Sequence, residues 1–451
     1  MENVGLFDTH CHLFHNRFDD DPDRVMDSAR RSGVNRFMIP GITLDTSRLA
    51  EAMADVRSGI FAAAGIHPGH CGEGWAEEMG KLTGMLVSPG VVAVGETGMD
   101  LYRDRSAEKR QRECFAEHVR MAGAFGLTLV VHSRSAEAEV LEVLGGEPSV
   151  PVIMHCYTGP SEHALRAAER GFYIGFTGPI TYRANGRLRE LAAALPRDRI
   201  LIETDSPFLS PEPVRGRRNE PAYLVHVAET LSEVLEQDLD ETARILMRNS
   251  MRAFQLEDPR RTDLIYELYG NLYLNITGLC SNHCRFCIRD RTDGLGGYYL
   301  RHHHEPDPDR LRALVGFLPP GSGRELVFCG YGEPTMRHLL LEELARSAAG
   351  KGYRVRLNTN GTCLQRLSRR ETLRMLEPFH TVSVSLNASS MEEYDRICRP
   401  SGRGAWESLM EFLELAGGRV GIRATAVRYP GVDMDAVGKL AEELDLPFRV
   451  R

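Results

Sequence analysis

Three cysteines lie within eight positions of the stretch LYLNITGLCSNHCRFCIRDRTDG, at Cys280, Cys284 and Cys287. In a chain of 451 residues with only ten cysteines, thiols clustered in this way are typical of metal ligands or catalysts rather than of a disulfide scaffold. A structural zinc site usually takes four protein ligands, and this half of the chain offers no second Cys-x-x-Cys pair. Three thiolates leave one coordination position open, which suits a [4Fe–4S] cluster whose fourth iron binds another molecule.

A second group of residues, in the first half of the chain, can bind divalent metal ions. It comprises His10, His12, Glu96, His132, His155 and Asp205. Because alternate residues of a strand share a face, His10 and His12 can point at one ion while Cys11 points away. Imidazoles and carboxylates suit borderline divalent metals, and a carboxylate such as Glu96 can bridge two ions. We therefore expect a site for two divalent ions, Mg²⁺, Mn²⁺ or Zn²⁺.

These residues fall at the ends of strands in a regular strand–helix pattern. Short apolar or β-branched runs that end in turn residues predict strands at 4–10, 35–41, 59–68, 91–100, 127–134, 150–159, 172–179 and 200–207. Helix-like segments such as 106–126 separate them. Eight strand–helix units in about 250 residues predict a (β/α)8 barrel, in which the strand ends converge on one mouth. An open doubly wound sheet is the alternative.

A charged segment at 255–263 interrupts this pattern, and a new alternation begins near Leu272. Further strands are predicted at 271–277, 325–330, 353–359, 381–387, 420–427 and 448–451, with helical stretches between them. Six strands are too few for the usual closed barrel, so we predict a partial (β/α)6 barrel. The whole chain is expected to be α/β, with one domain at 1–256 and a second at 264–451.

The composition limits the function. No apolar run is long enough to cross a membrane and no signal-peptide core is present, so we expect a cytoplasmic protein without a membrane partner. The net charge of −8 argues against a broad surface that coats nucleic acid, although it allows a local basic cleft. The sequence leaves the oligomeric state open.

Six short motifs follow one another in the first half of the chain. They are DTHCHL (8–13), GIHPGH (65–70), GETGMD (95–100), VVHSR (130–134), MHCYTG (154–159) and ETDSPFL (203–209). In content and order they resemble the TatD family of metal-dependent deoxyribonucleases, over almost all of residues 1–256. The family usually has Ile or Leu after Gly-Glu, where this chain has Thr97, a change that should not touch the metals.

This resemblance implies a divalent-metal phosphodiesterase in which the four histidines, Glu96 and Asp205 are the metal ligands. Glu96 and Asp205 would be catalytic, with Asp205 orienting or deprotonating the attacking water. Candidates for contact with the substrate phosphate are His67, Arg134, Arg215, Arg217 and Arg218. The alternatives are a structural hydrogen bond for His67 and an ordinary arginine-rich surface loop for Arg215, Arg217 and Arg218.

The spacing Cys-x3-Cys-x2-Cys, with Phe286 before the last cysteine, resembles the radical S-adenosylmethionine (SAM) superfamily. The resemblance implies that SAM binds the open iron and that an electron from the cluster cleaves it to a 5′-deoxyadenosyl radical. CGYGEPT (329–335) resembles the family's Gly-Gly-Glu motif, with Tyr331 in place of the first Gly, and implies that Gly332 and Glu333 receive the methionine amino group. Further expected contacts to SAM are Phe286, Thr359, Ser385 and Asn387, although turn and strand positions of these types are also common without a ligand.

Taken as a whole, the chain resembles a TatD-type nuclease fused to a TatD-associated radical SAM protein. We predict a bifunctional enzyme that hydrolyses phosphodiesters and generates a radical for an unknown, nucleic-acid-derived substrate. The expected partners are a nucleic acid or nucleotide and an electron donor such as flavodoxin or ferredoxin. One alternative is a barrel hydrolase for small phosphoesters or amides. Another makes the cluster domain a redox or structural module, which the retained Gly332 and Glu333 argue against.

Overall fold

The computed structural model describes residues 5–146, 149–256, 262–292, 294–295 and 298–451. The chain divides into two compact units, Met1–Asp258 and Pro259–Arg451. No helix in the described part of the chain is long and apolar enough to cross a membrane.

The first unit is built on an eight-stranded sheet in which each strand pairs with the next one along the chain. Its strands are β1 (Leu6–Asp8), β2 (Val34–Pro40), β3 (Ile60–Ala64), β4 (Val91–Asp100), β5 (Thr128–Arg134), β6 (Val152–Met154), β7 (Tyr173–Phe176) and β8 (Ile200–Ile202). The segment after β8 returns to the segment after β1, because Asp205 N donates to His10 O at 2.9 Å. The sheet is therefore closed, which confirms the predicted (β/α)8 barrel.

Nine helices of the described residues accompany these strands. They are α1 (Pro22–Arg31), α2 (Leu44–Met53), α3 (Trp75–Leu82), α4 (Glu108–Phe125), α5 (Glu137–Val143), α6 (Ser161–Glu169), α7 (Gly186–Ala194), α8 (Leu224–Val234) and α9 (Leu239–Ala253). In α4 the buried residues Cys114, His118 and Met121 recur at spacings of three and four, so one stripe of the helix packs on the barrel. The helix ends at Gly126, whose φ of 68° is a left-handed conformation that favours glycine.

A hydrophobic cluster lies below the polar strand ends. It consists of strand residues that precede the polar ones in sequence and of residues at the end of α9. Phe7 of β1 lies at its centre, with ring centroids 5.8 Å from Phe61 and 5.5 Å from Phe254. Ile153 and Leu201 precede the site residues of their strands and belong to the same cluster. The cluster therefore forms an apolar floor under the strand ends, and it excludes water from that side of the site.

The second unit contains a seven-stranded sheet. The strands of this unit are β9 (Ile265–Leu268), β10 (Asn271–Leu274), β11 (Gly294–Leu295), β12 (Tyr298–Tyr299), β13 (Glu325–Phe328), β14 (Arg354–Thr359), β15 (Thr381–Ser385), β16 (Gly421–Ala426) and β17 (Phe448–Val450). The sheet order is β17-β16-β15-β14-β13-β10-β9, and β11 pairs only with β12. From β10 to β17 the six neighbouring strands are parallel, which confirms the predicted partial (β/α)6 barrel.

The sequence prediction did not include β9, which pairs with β10 in antiparallel direction at the sheet edge. Leu268 faces Asn271 across a two-residue turn, and the turn residues Tyr269 and Gly270 have φ values of 53° and 75°. Hairpin turns with two positive φ values usually carry Asn or Asp before the glycine. Because Tyr269 takes that place, the stretch lacks the usual hairpin signal.

The helices of the second unit are α10 (Pro308–Phe317), α11 (His338–Gly350), α12 (Arg369–Leu376), α13 (Met391–Cys398), α14 (Ala405–Ala416) and α15 (Met434–Glu443). In β14 the side chains of Val355 and Leu357 are buried, whereas Arg356 and Asn358 between them are partly exposed. The sheet thus has an apolar face, against which helices pack, and a polar inner face. This departs from the usual parallel sheet, which is apolar on both faces.

Candidate metal centre and cluster-binding loop

Six polar side chains meet at the carboxyl ends of the barrel strands. His10 and His12 follow β1, Glu96 lies in β4, His132 lies in β5, His155 follows β6 and Asp205 follows β8. The carboxyl ends of parallel strands in a barrel share one face, which is where enzymes of this architecture place their active sites. The structure therefore brings together all six residues that the sequence singled out as candidate metal ligands.

Glu96 occupies the middle of this group and uses its two carboxylate oxygens on different sides. Its Oε2 lies 3.3 Å from His10 Nε2 and 3.9 Å from His12 Nε2. Its Oε1 lies 3.1 Å from His132 Nδ1 and 3.2 Å from His155 Nε2. A carboxylate that faces two separate pairs of imidazoles has the arrangement of a ligand that bridges two metal ions.

Asp205 joins the histidine pair that follows β1. Its Oδ1 lies 3.3 Å from His12 Nε2 and 3.9 Å from His10 Nε2. The backbone of Asp205 has a φ of 51°, a left-handed conformation that costs residues other than glycine some backbone energy, although Asp tolerates it better than most. The fold therefore holds this carboxylate in place at a cost in backbone energy, as is common at functional sites.

The donor set fits divalent metal ions. Nδ1 and Nε2 of His10 and Nδ1 of His12 are buried without a hydrogen-bond partner among the described residues. A buried nitrogen without a partner costs free energy, and a bound cation would satisfy it. Two sets of ligand atoms, one from His10, His12 and Glu96 and the other from His67, Glu96 and His132, each lie within 4.8 Å of one another. Imidazole and carboxylate donors at such spacing suit Zn²⁺ and Mn²⁺, and carboxylates also suit Mg²⁺.

Two further carboxylates, which the sequence prediction missed, contact the histidines from behind. Glu203 is fully buried, and its Oε1 lies 3.3 Å from His155 Nδ1. Asp100 Oδ2 lies 3.4 Å from His132 Nε2. In each case the carboxylate faces the ring nitrogen that points away from Glu96. Carboxylates in this position fix the orientation and tautomer of a metal-binding histidine.

Asp8 was also missed, and it ties the two ends of the barrel sheet together. Its carboxylate accepts hydrogen bonds from Thr204 N at 2.9 Å and from Thr204 Oγ1 at 2.6 Å. Complete burial raises the pKa of Asp8 to about 7, although the hydrogen bonds from Thr204 oppose this shift. The bonds hold the segment that carries Asp205 next to the segment that carries His10.

The electrostatics of the group centre on Glu96. Burial favours its neutral form, but the surrounding imidazoles together hold the pKa of Glu96 well below its usual value. Burial opposes ionisation of Asp205 as well, but the hydrogen bond from His12 and the charges of the surrounding histidines together lower its pKa. Both carboxylates are therefore ionised at neutral pH and can bind cations.

The five candidate phosphate contacts differ in their surroundings. His67 Nε2 lies 3.5 Å from Glu96 Oε1, so His67 belongs to the metal group itself. Arg134 and Arg215 pack over the rings of Tyr102 and Tyr182, at 4.1 and 4.2 Å. Arg217 is exposed. Arg218 donates hydrogen bonds to Asp21 and Glu220, and these two carboxylates neutralise much of the charge that it would offer to a phosphate.

In the second unit, the three clustered cysteines lie on a partly buried loop that follows β10. Backbone hydrogen bonds from His283 N to Cys398 O at 3.1 Å and from Cys287 N to Cys284 O at 3.0 Å hold this loop. Asn282 N donates to Cys280 Sγ at 3.4 Å, and hydrogen bonds to sulfur stabilise cluster-bound thiolates. Three thiols on one such loop fit a cluster with an open iron.

Cys398 is a neighbour of this loop that the sequence did not reveal. It ends α13 and is almost fully buried. Interaction with the Cys398 thiol lowers the pKa of the Cys284 thiol, although burial opposes the effect. Cys284 is thus the thiol of the loop that ionises most readily, as a ligand must.

Gly332 and Glu333 lie against the segment that precedes Cys280. A Cβ at Gly332 would meet Thr277 O at 2.3 Å, so only glycine allows the backbones to approach this closely. Glu333 N donates to Leu279 O at 2.7 Å. The buried carboxylate of Glu333 accepts hydrogen bonds from Thr359 Oγ1 at 2.8 Å and from Asn360 N at 2.7 Å. Thr359 therefore positions Glu333.

The other candidate SAM contacts lie nearby in the fold. Ser385 ends β15, and Asn387 follows it with its Oδ1 accepting a hydrogen bond from Val427 N at 3.0 Å. The ring of Phe286 lies 5.9 Å from that of Tyr429. The roles of these residues in SAM binding stay predictions.

Comparison with known proteins identifies both units. A family model for TatD-related DNases matches residues 7–255, and a model for the radical SAM superfamily matches residues 274–444. The first match covers more than half of the chain. The chain therefore belongs to the TatD-related DNase family, and its second unit is a radical SAM domain. Both units are of enzymatic type, and the chain is an enzyme.

Individual relatives correspond to little more than half of this chain. The uncharacterized metal-dependent hydrolase YabD of Bacillus subtilis is 36% identical over 253 residues, which are 56% of this chain and 99% of that protein. The 3′-5′ ssDNA/RNA exonuclease TatD of Cronobacter turicensis is 34% identical over 264 residues, which are 55% of this chain and 100% of that protein. The crystal structure of YjjV, a TatD homologue from Escherichia coli K12, matches with a TM-score of 0.53 and 28% identity over 55% of this chain and 98% of that chain.

The contact between Glu203 and His155 leads to a testable prediction. We expect Glu203→Gln to weaken Mn²⁺ binding by about 10- to 100-fold, because the uncharged amide no longer orients the ring of His155. Isothermal titration calorimetry of the full chain measures this change. The control is Glu212→Gln, since the Glu212 side chain is 41% exposed and contacts no histidine of the group. Equal Mn²⁺ affinity in the two variants would show that Glu203 does not act through His155.

Proposed function

We propose that this chain is a bifunctional enzyme, with a site for phosphodiester hydrolysis in residues 1–256 and a site for SAM cleavage in residues 264–451. The observation that carries the first activity is the position of Glu96 between two pairs of histidines. The membership of the first unit in a DNase family supports the same reaction. The three-cysteine loop in a radical SAM domain carries the second activity.

In the barrel, the six residues would hold two divalent ions, which lower the pKa of a bound water and neutralise charge on the phosphoryl oxygens. Asp205 lies at the open side of the group, with 16% of its side chain exposed against 5% for Glu96. Its lowered pKa keeps it ionised, so it can accept a proton from the attacking water. His67 is held neutral, because burial lowers its pKa to about 3, and it can orient a phosphoryl oxygen.

Single-stranded nucleic acid is the substrate that the barrel mouth suits best. Three pairs of an arginine and an aromatic ring lie on segments that follow the strands, namely Arg17 with Phe208, Arg134 with Tyr102 and Arg215 with Tyr182. Phe208 and Tyr102 are 41% and 67% exposed. Exposed rings beside cations can stack unpaired bases while the cations contact the backbone. The exonuclease from Cronobacter turicensis, which is named for ssDNA and RNA, supports this choice.

We expect Asp205→Asn to lower the rate of Mn²⁺-dependent cleavage of a single-stranded oligodeoxynucleotide by about 10²–10⁴-fold, because the amide cannot accept a proton. Denaturing gel electrophoresis of a labelled oligonucleotide measures the rate. Removal of metal with EDTA should abolish cleavage by the wild type, and added Mn²⁺ should restore it. The control is Asp198→Asn, an acid whose side chain is 56% exposed and which precedes β8, at the end of that strand opposite to Asp205. Cleavage at the wild-type rate by the Asp205 variant would refute the assignment.

The exposed ring of Phe208 allows a test that distinguishes single-stranded nucleic acid from small phosphoesters as the substrate. We expect the Phe208→Ala variant to cleave single-stranded DNA with a KM about 5- to 100-fold higher, because it loses the stacking of one base. Its cleavage of an abasic oligodeoxynucleotide of the same length should stay near the wild-type rate, since that substrate has no bases to stack. The control is Leu339→Ala, which also removes an exposed apolar side chain but in the second unit. Equal effects on both substrates would instead favour a hydrolase for small phosphoesters.

In the second unit, Cys280, Cys284 and Cys287 would hold a [4Fe–4S] cluster, which when reduced supplies the electron that cleaves SAM to methionine and a 5′-deoxyadenosyl radical. We further propose that the electron comes from a donor such as flavodoxin or ferredoxin. Gly332 brings the strand end against the cysteine loop, and Glu333 presents a carboxylate for the methionine amino group. Phe286, Thr359, Ser385 and Asn387 complete the proposed SAM site.

We expect Cys284→Ala to abolish the iron content and the release of 5′-deoxyadenosine, because two thiolates cannot hold the cluster. Iron analysis and chromatography after anaerobic reconstitution with SAM and dithionite measure both. The matched control is Cys398→Ala, which removes the neighbouring thiol but leaves all three ligands in place. Cleavage of single-stranded DNA should be unchanged in both variants. Loss of iron from the Cys398 variant alone would contradict the proposed ligand set.

A further inference from the structure

The inner face of the sheet in the second unit carries arginines on three strands. The opposite face of the sheet carries Val382, Val384 and Ala424, whose side chains are completely buried. The arginines of the inner face in the described strands are Arg354 and Arg356 of β14, Arg423 of β16 and Arg449 of β17. Exposed cations are unusual on a face of a parallel sheet, because such faces are normally apolar.

The register of the strands places two of these arginines close to the proposed SAM site. Arg449 lies opposite Thr425, which lies opposite Ser385 on the next strand. Arg423 lies one layer lower, opposite Ser383. Neighbouring strands are about 4.8 Å apart, so the long side chains of Arg423 and Arg449 can reach the same ligand.

Little negative charge balances these arginines. Arg356 pairs with Glu325, whose Oε2 lies 3.2 Å from its Nε. Within the described part of the chain, Arg423 and Arg449 take part in no hydrogen bond or ion pair through their side chains. Both are exposed on the inner face. Burial lowers the pKa of the neighbouring Arg451, and the charges of Arg356 and Arg449 act in the same direction, whereas Cys329 and Tyr273 act against it.

We propose that Arg423 and Arg449 bind a phosphate group of the substrate on which the radical acts. This inference rests on the proposed function of the second unit, and it names the class of substrate. A phosphate dianion accepts charge-assisted hydrogen bonds from two guanidinium groups at once, whereas a single carboxylate balances only one positive charge. The phosphate can belong to a free nucleotide or to a nucleic acid strand, which share this chemistry.

The test is labelling of the full-length, cluster-loaded protein with phenylglyoxal, which modifies accessible arginines, followed by mass spectrometry. Thymidine 5′-monophosphate is the probe, and thymidine is the control ligand without phosphate. Arg419 and Arg244 serve as internal controls, because both are exposed and neither lies on the inner face. We expect the monophosphate to slow the labelling of Arg423 and Arg449 about tenfold and to leave the two controls unchanged.

A short oligothymidylate and malonate provide two further arms. Protection by the monophosphate alone identifies a small nucleotide as the ligand. Protection by the oligothymidylate alone identifies a nucleic acid strand. Both results support phosphate recognition. Equal protection by malonate would overturn the proposal, and so would labelling of Arg423 and Arg449 that neither the monophosphate nor the oligothymidylate slows.

Variants give an independent measurement. We expect Arg423→Gln with Arg449→Gln to bind thymidine 5′-monophosphate about tenfold more weakly than Arg419→Gln with Arg370→Gln. The control pair is exposed, lies in the same unit and changes the net charge equally. The barrel contributes the same binding to both proteins. Iron content and 5′-deoxyadenosine release without the probe are measured in parallel. If the wild type lacks both, the proposed radical function fails; if it has both and the two double variants bind the probe equally, only the phosphate inference fails.

Discussion

The structure of the first unit depends on a carboxylate buried among imidazoles. Glu96 is only 3% exposed, and a charge taken so far out of water is tolerated only when charged or hydrogen-bonding groups surround it. His10, His132 and His155 lie within 3.3 Å of its oxygens and supply that environment. Each comes from a different strand end, so the closed barrel is what makes the buried charge possible.

The acidic groups behind the histidines extend this arrangement outward. Glu203 and Asp100 face the ring nitrogens of His155 and His132 that point away from Glu96. Each of these two imidazoles therefore lies between an outer carboxylate and the central carboxylate of Glu96. Fixed dipoles and charges of this kind do not have to reorganise during a reaction, which is how a site stabilises developing charge. The apolar floor around Phe7 keeps water from weakening these interactions from below.

The second unit differs from the first in where its candidate ligands lie. The three cysteines are on one loop, whereas the candidate metal ligands of the barrel are at strand ends. The cysteine loop is held by backbone hydrogen bonds to the end of α13, and the Gly332–Glu333 segment packs against its beginning. Cys398 contributes a thiol to this packing without belonging to the local motif. The inner face of the sheet, lined by Arg423 and Arg449, is then free to face a substrate. One chain therefore combines a group of candidate metal ligands at the strand ends of a closed barrel with a cysteine loop that other segments support.

Much of this protein followed from the sequence alone. The strand–helix rhythm predicted both barrels, and the six strand-end residues and three cysteines were identified, because the ends of parallel strands meet and because ligand spacing on one loop is local. The hairpin at Tyr269 was missed because its turn lacks the usual residues. Glu203 and Cys398 were missed because their partners, His155 and Cys284, lie far away in sequence. Periodicity tells which face of an element a residue occupies, but only the closed tertiary structure decides which faces meet.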